Sequence, residues 1–201
     1  MLTPWSVPCR WQGRTAFILG GGPSLAEVDV DRLQGLGPVI AVNDAGLIRA
    51  PWADVLYFSD GEQRWFGWNK DQLPLYRGPL IVTRQEVAAG SHDIKLLGWA
   101  KGVALSTDPR FVAGYCGGSN AINLAFLFGA SRIVLFGFDM RPGNWHDRHK
   151  KPARDNYRDR FIPAIERMAV VLAMHSVEVV NATPGSALAC FPIRTPAEIM
   201  P

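Results

Sequence analysis

Seven short apolar runs, rich in β-branched and aromatic residues, alternate with helical patterns along this chain of 201 residues. The runs are TAFILG (15–20), PVIAVN (38–43), DVLYFSD (54–60), PLIVTR (79–84), KGVALS (101–106), RIVLFGFDM (132–140) and VEVVNAT (177–183). Strands that alternate with helices are typical of a mainly parallel sheet with helices on its faces. The alternation therefore predicts an α/β fold, a three-layer sandwich with a mainly parallel central sheet.

Two segments carry clear helical patterns. The segment at 120–129 is apolar nearly all round, which predicts a helix buried on more than one side. We expect Ser119 to cap its N-terminus and Gly129 to follow its last turn. The segment at 159–175 has apolar residues three and four apart, with Pro163 in its first turn, where proline is tolerated.

Length and composition indicate one globular domain. No linker interrupts the pattern, so we predict a single domain over residues 1–201 with its core at about 15–192. The net charge of +3 is too small to indicate a specific nucleic-acid partner. No secretory signal and no run long enough to span a bilayer is visible. We therefore expect a cytoplasmic protein without a membrane span, and the oligomeric state stays open.

Basic residues concentrate in one stretch, RPGNWHDRHKKPARDNYRDR (141–160), which holds seven Lys or Arg and three Asp. One interpretation is a solvated, mobile loop. The other is a landing site for an anionic ligand.

Three consecutive glycines follow the first predicted strand, in FILGGGPSL (17–25). Because glycine loses more backbone entropy on folding than any other residue, the run needs a reason. Either a turn demands it, or something approaches the backbone closely. The run matches neither the GxGxxG dinucleotide fingerprint nor a P-loop, but glycines after a strand still expose amide groups to anionic oxygens.

A second glycine junction, YCGGSNAINLA (115–125), opens the predicted buried helix. The N-terminus of a helix carries partial positive charge and free amides, which favour an anion. Ligands of open parallel sheets bind beyond the carboxyl ends of the strands, where both junctions and the polar strand ends should collect. The two junctions together favour a nucleotide or another phosphorylated ligand.

These motifs resemble bacterial sialyltransferases that use CMP-sialic acid. The resemblance is carried by GGGPSL, VND, GGSNAINLAFLFGASRIVLFGFDM and NATPGSAL, in this order, and covers about residues 15–192. The same pattern is similar to a Rossmann-like family of phage and prophage proteins of unassigned function. More distantly, it is similar to archaeal-type 6-hydroxymethylpterin diphosphokinases. The resemblance implies a Rossmann-like fold, a nucleotide or nucleotide sugar as ligand, and a phage or prophage protein in the cytoplasm of a bacterial host.

The strand ends, the two junctions and the resemblance together predict the binding residues. The predicted nucleotide-binding residues are Gly20, Gly21, Gly22, Pro23, Ser24, Asn43, Asp60, Gly117, Gly118, Ser119, Asn120, Gly137 and Asp139. Two positions depart from the sialyltransferases, which have asparagine in place of Gly21 and serine-glycine in place of Gly117-Gly118.

Two histidines in NWHDRHK are the remaining candidates for a catalytic role. In the sialyltransferases a histidine in a mobile segment at a similar place is the general base that deprotonates the acceptor hydroxyl. The resemblance thus implies a catalytic role for His146 and His149, since imidazole titrates near neutral pH. A plain surface role for either histidine stays open.

Three functions fit these residues. The first is a glycosyltransferase-like enzyme that needs no metal or other cofactor. The second is a diphosphokinase-like enzyme that uses ATP with Mg²⁺ held by Asp60 and Asp139, since Mg²⁺ prefers carboxylate oxygens. The third is a non-catalytic phage accessory or virion protein that keeps the fold.

Overall fold

The protein is built on one eight-stranded sheet with a separate two-stranded pair beside it, in a computed structural model that describes residues 2–148 and 156–200. The strands are β1 (Leu2–Pro4), β2 (Thr15–Leu19), β3 (Val39–Val42), β4 (Val55–Phe58), β5 (Leu80–Thr83), β6 (Ile94–Leu96), β7 (Gly98–Trp99), β8 (Phe111–Val112), β9 (Arg132–Phe136) and β10 (Glu178–Asn181). The large sheet has the order β1-β6-β5-β4-β3-β2-β9-β10, and each neighbouring pair is parallel. The predicted α/β fold with a parallel sheet is confirmed.

The strand order reverses between β2 and β9. From β2 the chain adds β3, β4 and β5 on one side, and it later returns to place β9 and then β10 on the other side. Such a reversal leaves a crevice at the carboxyl ends of the two strands, where open α/β sheets bind ligands.

One predicted strand is wrong, and four strands were not predicted: β1 and β6 of the large sheet and the short pair β7 and β8. Residues 101–106 form turns, and Gly102 has a φ of +79°, which interrupts an extended strand. The sheet is instead continued beyond β5 by β6 and β1. Each of these has three residues with one polar residue among them, too short a run to read from the sequence.

The α-helices are α1 (Trp65–Asn69), α2 (Gly117–Leu127), α3 (Ile162–Met174) and α4 (Pro196–Ile199). The prediction that Ser119 caps α2 is wrong, because Cys116 is the N-cap residue and Ser119 is the third residue of the helix. Gly129 follows α2 with a φ of +92°, as predicted. Pro163 lies in the first turn of α3, which is preceded by one π-helical turn at Tyr157–Phe161.

Alternate residues of the strands face two separate cores, which gives the three layers. Ile18 of β2 belongs to the core that contains Ile122 of α2 and Ile165 of α3. Its neighbour Leu19 belongs to the opposite core, which also includes Phe66 of α1. Among the described residues, no helix has the length and apolar character needed to cross a membrane.

Candidate functional site

The glycine turn after β2 packs against the loop after β9. Gly22 N donates a hydrogen bond to Gly137 O at 2.8 Å. A Cβ at Gly20 would lie 2.7 Å from the same carbonyl, and a Cβ at Gly22 would overlap a carboxylate oxygen of Asp139. Gly137 itself has a φ of +69°. The close approach that the glycines permit is therefore made, at Gly20 and Gly22, by the protein's own backbone.

Asp139 and Ser24 join these two loops across the switch point. Ser24 N donates to Asp139 Oδ1 at 3.2 Å, and Ser24 Oγ donates to Oδ2 at 2.8 Å. Asp139 is 7% exposed. With both oxygens engaged by Ser24, this carboxylate holds the turn in place and is poorly suited to the Mg²⁺ site that the diphosphokinase hypothesis requires.

Gly21 is the exposed residue of the turn, and the segment before His146 lies over it. Trp145 N donates to Gly21 O at 3.3 Å, and Asn144 Oδ1 is 3.3 Å from the position of a Cβ at Gly21. Pro23 begins a 3-10 helical turn after the glycines and lies near Gly143. The basic stretch therefore begins with a segment that covers the glycine turn.

Asn43, at the carboxyl end of β3, is held in an unusual conformation. Its φ is +56°, in the left-handed region that residues other than glycine seldom adopt. Its Oδ1 atom is buried and has no hydrogen-bond partner within the part of the chain that the structure describes. Backbone strain and an unsatisfied polar atom at the mouth of a sheet are features of ligand sites.

Asp44 is a buried carboxylate that gathers three side chains at this edge. Its Oδ2 accepts a hydrogen bond from Trp65 Nε1 at 2.8 Å. Arg148 Nη1 lies 3.3 Å from Oδ1, and His146 Nε2 lies 3.8 Å from Oδ2. The sequence placed Asp44 at a strand end but did not reveal this role, because His146 and Arg148 lie about a hundred positions further along the chain.

His146 has both ring nitrogens directed at other groups. Its Nδ1 accepts a hydrogen bond from Arg148 N at 3.2 Å, which places the ring proton of the neutral form on Nε2, facing Asp44. The side chain is 9% exposed, and its ring packs edge-on against Trp145. In this arrangement no ring nitrogen is available to accept a substrate proton. The second predicted base, His149, lies outside the described residues.

Removing the Asp44 carboxylate should loosen this cluster. We expect Asp44→Ala to lower the free energy of unfolding by about 3 kcal/mol, since it leaves a partly buried guanidinium without its carboxylate. Urea unfolding of the variant measures the loss. Asp147→Ala, at an exposed position in the same segment, is the matched control and should unfold like the wild type. Equal midpoints for the two variants would contradict the structural role of Asp44.

The N-terminus of α2 approaches the same edge. A Cβ at Gly117 would lie 2.8 Å from Val42 of β3, and a Cβ at Gly118 would lie 2.9 Å from the ring of Phe138. Gly20, in the first junction, would place its Cβ 3.1 Å from that same ring. The two glycine junctions that the sequence singled out thus lie against one phenylalanine.

Ser119 and Asn120, predicted to bind the nucleotide, are fully buried and bonded within the protein. Ser119 Oγ accepts from the backbone of Cys116 at 3.1 Å, and the Cys116 thiol accepts from Ser119 N at 3.4 Å, a reciprocal helix cap. Burial raises the pKa of the Cys116 thiol. Asn120 Nδ2 donates to Ala113 O at 2.7 Å, and its Oδ1 accepts from Arg84 Nε at 3.0 Å.

Asp60 and Arg84 end the next two strands. Asp60 is partly exposed and lies 3.7 Å from Arg64 Nη1. Arg84 was not among the predicted site residues, although it is the last residue of a predicted strand, so the same strand-end rule would have found it. Within residues 2–148 and 156–200, no group of three or more His, Cys, Asp or Glu is arranged to hold a metal ion.

Comparison with known proteins relates this architecture to glycosyltransferases. No protein-family model matches the chain, and no curated protein sequence matches it. The MAf glycosyltransferase of Magnetospirillum magneticum AMB-1 matches in structure with a TM-score of 0.67 and 11% identity. The match covers 97% of this chain and 35% of that one, so this chain spans about a third of its length.

The sialyltransferase CstII of Campylobacter jejuni is also similar. Its complex with CMP-3FNeuAc matches with a TM-score of 0.56 and 20% identity, over 90% of this chain and 85% of that one. Its complex with a trisaccharide acceptor and CMP matches with a TM-score of 0.55 and 17% identity, over 89% and 85% of the two chains. The chain therefore has a Rossmann-like, glycosyltransferase-like α/β fold.

Proposed function

We propose that this protein binds a nucleotide sugar at the carboxyl edge of its sheet and is a glycosyltransferase-like transferase related to the sialyltransferases. The observation that carries the proposal is the meeting of the two glycine junctions on the Phe138 ring, beside the switch point between β2 and β9. Gly21 is the exposed residue of the turn there, and Asn43 has an oxygen without a hydrogen-bond partner among the described residues. The fold is shared with a sialyltransferase that was solved with CMP.

The transfer that we propose uses His146 as a base after its segment has moved away from Asp44. The base takes the proton of the acceptor hydroxyl, and the acceptor oxygen forms a bond to the anomeric carbon of the donor sugar. The bond from that carbon to the phosphate oxygen breaks, and the nucleotide leaves with the bonding electrons. The positive end of α2 would stabilise the charge that develops on the phosphate.

A second candidate function is binding without catalysis, in an accessory or virion protein of phage or prophage origin. It is favoured by the contacts of His146, because Nε2 faces Asp44 and Nδ1 accepts a hydrogen bond from the Arg148 backbone. For either function, we propose that the protein is located in the bacterial cytoplasm.

A panel of CMP, UDP, GDP and ATP, each with and without Mg²⁺, tests the proposal by thermal shift. We expect CMP to stabilise the protein without metal, by about 2.7 kcal/mol at a concentration of a hundred times its Kd. Stabilisation by ATP only in the presence of Mg²⁺ would favour the diphosphokinase hypothesis instead. If no nucleotide changes the melting temperature, nucleotide binding as proposed is wrong.

A further inference from the structure

The Arg84 guanidinium is fixed in place at the end of β5. Its Nε donates to Asn120 Oδ1 at 3.0 Å, and Asn120 is fully buried and anchored to the backbone of Ala113. The indole ring of Trp99 covers the guanidinium, with 4.5 Å between the guanidinium carbon and the ring centroid. A guanidinium held in this way has little conformational freedom left to lose when it binds a ligand.

The charge of Arg84 has no carboxylate opposite it. Neighbouring arginines at the site or its rim have one: Arg148 lies against Asp44, and Arg110 lies against Asp108. Among the residues that the structure describes, no Asp or Glu lies within ion-pairing distance of Arg84. A partly buried guanidinium without a counterion is costly to maintain, so an anionic ligand would be a favourable partner for it.

The Tyr57 hydroxyl adds a second unsatisfied donor. The side chain is fully buried, and its hydroxyl makes no hydrogen bond of standard geometry with a described residue. Arg84, Cys116 and Asp60 lie near it, and Cys116 is the residue that caps the N-terminus of α2. Burial raises the pKa of this hydroxyl, so it keeps its proton at neutral pH. The guanidinium, the hydroxyl and the positive end of an eleven-residue helix therefore converge on one place.

We propose that Arg84, with Tyr57 and the N-terminus of α2, forms a binding subsite for an oxyanion, a phosphate or carboxylate group. The identification of the anion as part of a nucleotide sugar rests on the function proposed above. In that case it is either the phosphate of the nucleotide or the carboxylate of an acidic sugar. Arg84 also lines an open cleft of about 520 Å³ together with Glu86 and Arg110, so Arg84 can be reached from solvent.

Calorimetric titrations with four probes test this subsite: CMP, cytidine, inorganic phosphate and free sialic acid. We expect Arg84→Gln to weaken anion binding by at least about tenfold, because a charge-assisted hydrogen-bonded pair contributes about 1.5–3 kcal/mol, and to leave cytidine binding unchanged. Loss for CMP and phosphate identifies the phosphate as the ligand group, and loss for sialic acid alone identifies the carboxylate. Arg132→Gln is the control, because this guanidinium pairs with Glu178 at the opposite end of the sheet, and the variant should bind all probes like the wild type.

The Tyr57→Phe variant distinguishes an effect on anion binding from an effect on the stability of the fold. Because the hydroxyl is buried and its proton has no acceptor among the described residues, its removal should leave the melting temperature unchanged or raise it, while anion affinity falls several-fold. The subsite is wrong if Arg84→Gln and Tyr57→Phe both bind the anionic probes like the wild type, if Arg84→Gln loses cytidine equally, or if no anionic probe binds the wild type. If phosphate or sialic acid binds through Arg84 but no nucleotide binds, the subsite stands and the proposed nucleotide function fails.

Discussion

Alanine in place of Gly22 should be among the most damaging single substitutions in this protein. The added Cβ would overlap the Asp139 carboxylate and lie 2.7 Å from the Gly137 carbonyl, so either the turn or the β9 loop must move. We expect the free energy of unfolding to fall by about 3 kcal/mol, the upper part of the usual range for overpacking. Urea unfolding followed by circular dichroism measures it.

Gly61→Ala is the matched control, since its Cβ would meet nothing closer than 3.7 Å at the end of a neighbouring strand. The double variant Gly22→Ala/Asp139→Ala sharpens the test. Asp139→Ala removes the atoms that the Cβ of Gly22→Ala would overlap. The double variant should therefore lose less unfolding free energy than the sum of the losses in the two single variants. Simple additivity, or a Gly22→Ala variant as stable as Gly61→Ala, would show that the two loops do not meet as described.

The second large effect concerns turnover. If the protein transfers or hydrolyses a nucleotide sugar, His146→Gln should lower the rate by about 10²- to 10⁴-fold, the range that general base catalysis contributes. CMP affinity should stay near that of the wild type. Release of CMP from CMP-sialic acid measures the rate without knowledge of the acceptor.

The control for this variant is His175→Gln, at an exposed position where the ring packs on Phe126 at the end of α3. It should turn over donor like the wild type. Unchanged turnover in His146→Gln would remove His146 from the mechanism. A wild type that binds CMP but never releases it from CMP-sialic acid would favour the binding-only function.

Most of the sheet could be predicted because its central strands are long enough to carry a signal. β2, β3, β4, β5, β9 and β10 are continuous or nearly continuous apolar runs, as strands covered on both faces must be. β1, at one edge of the sheet, and its neighbour β6 were not predicted because three residues carry no periodicity. Residues 101–106 were wrongly predicted as a strand because their composition suits one, whereas the left-handed conformation of Gly102 prevents it.

For the candidate site, the positions of the residues could be predicted from the sequence, but their hydrogen-bond partners could not. The rule that strand ends meet at one edge correctly brought Gly20–Ser24, Asn43 and Asp139 to one region. It did not show that Asp139 bonds Ser24, a contact between residues 115 positions apart. It also did not show that Ser119 and Asn120 are buried, with Ser119 bonded to the N-cap residue Cys116 and Asn120 bonded to Arg84. Such pairings depend on tertiary contacts, which a single sequence does not record.

The central claim is that a nucleotide sugar binds at the carboxyl edge of the sheet, between the two glycine junctions. A titration of the isotope-labelled protein with CMP in metal-free buffer, followed by amide NMR, tests it most directly. The account predicts saturable shifts concentrated at Gly21, Asn43, Gly117 and Arg84, which all lie at that edge. Shifts confined to the opposite end of the sheet, or no shifts at millimolar CMP, would contradict it.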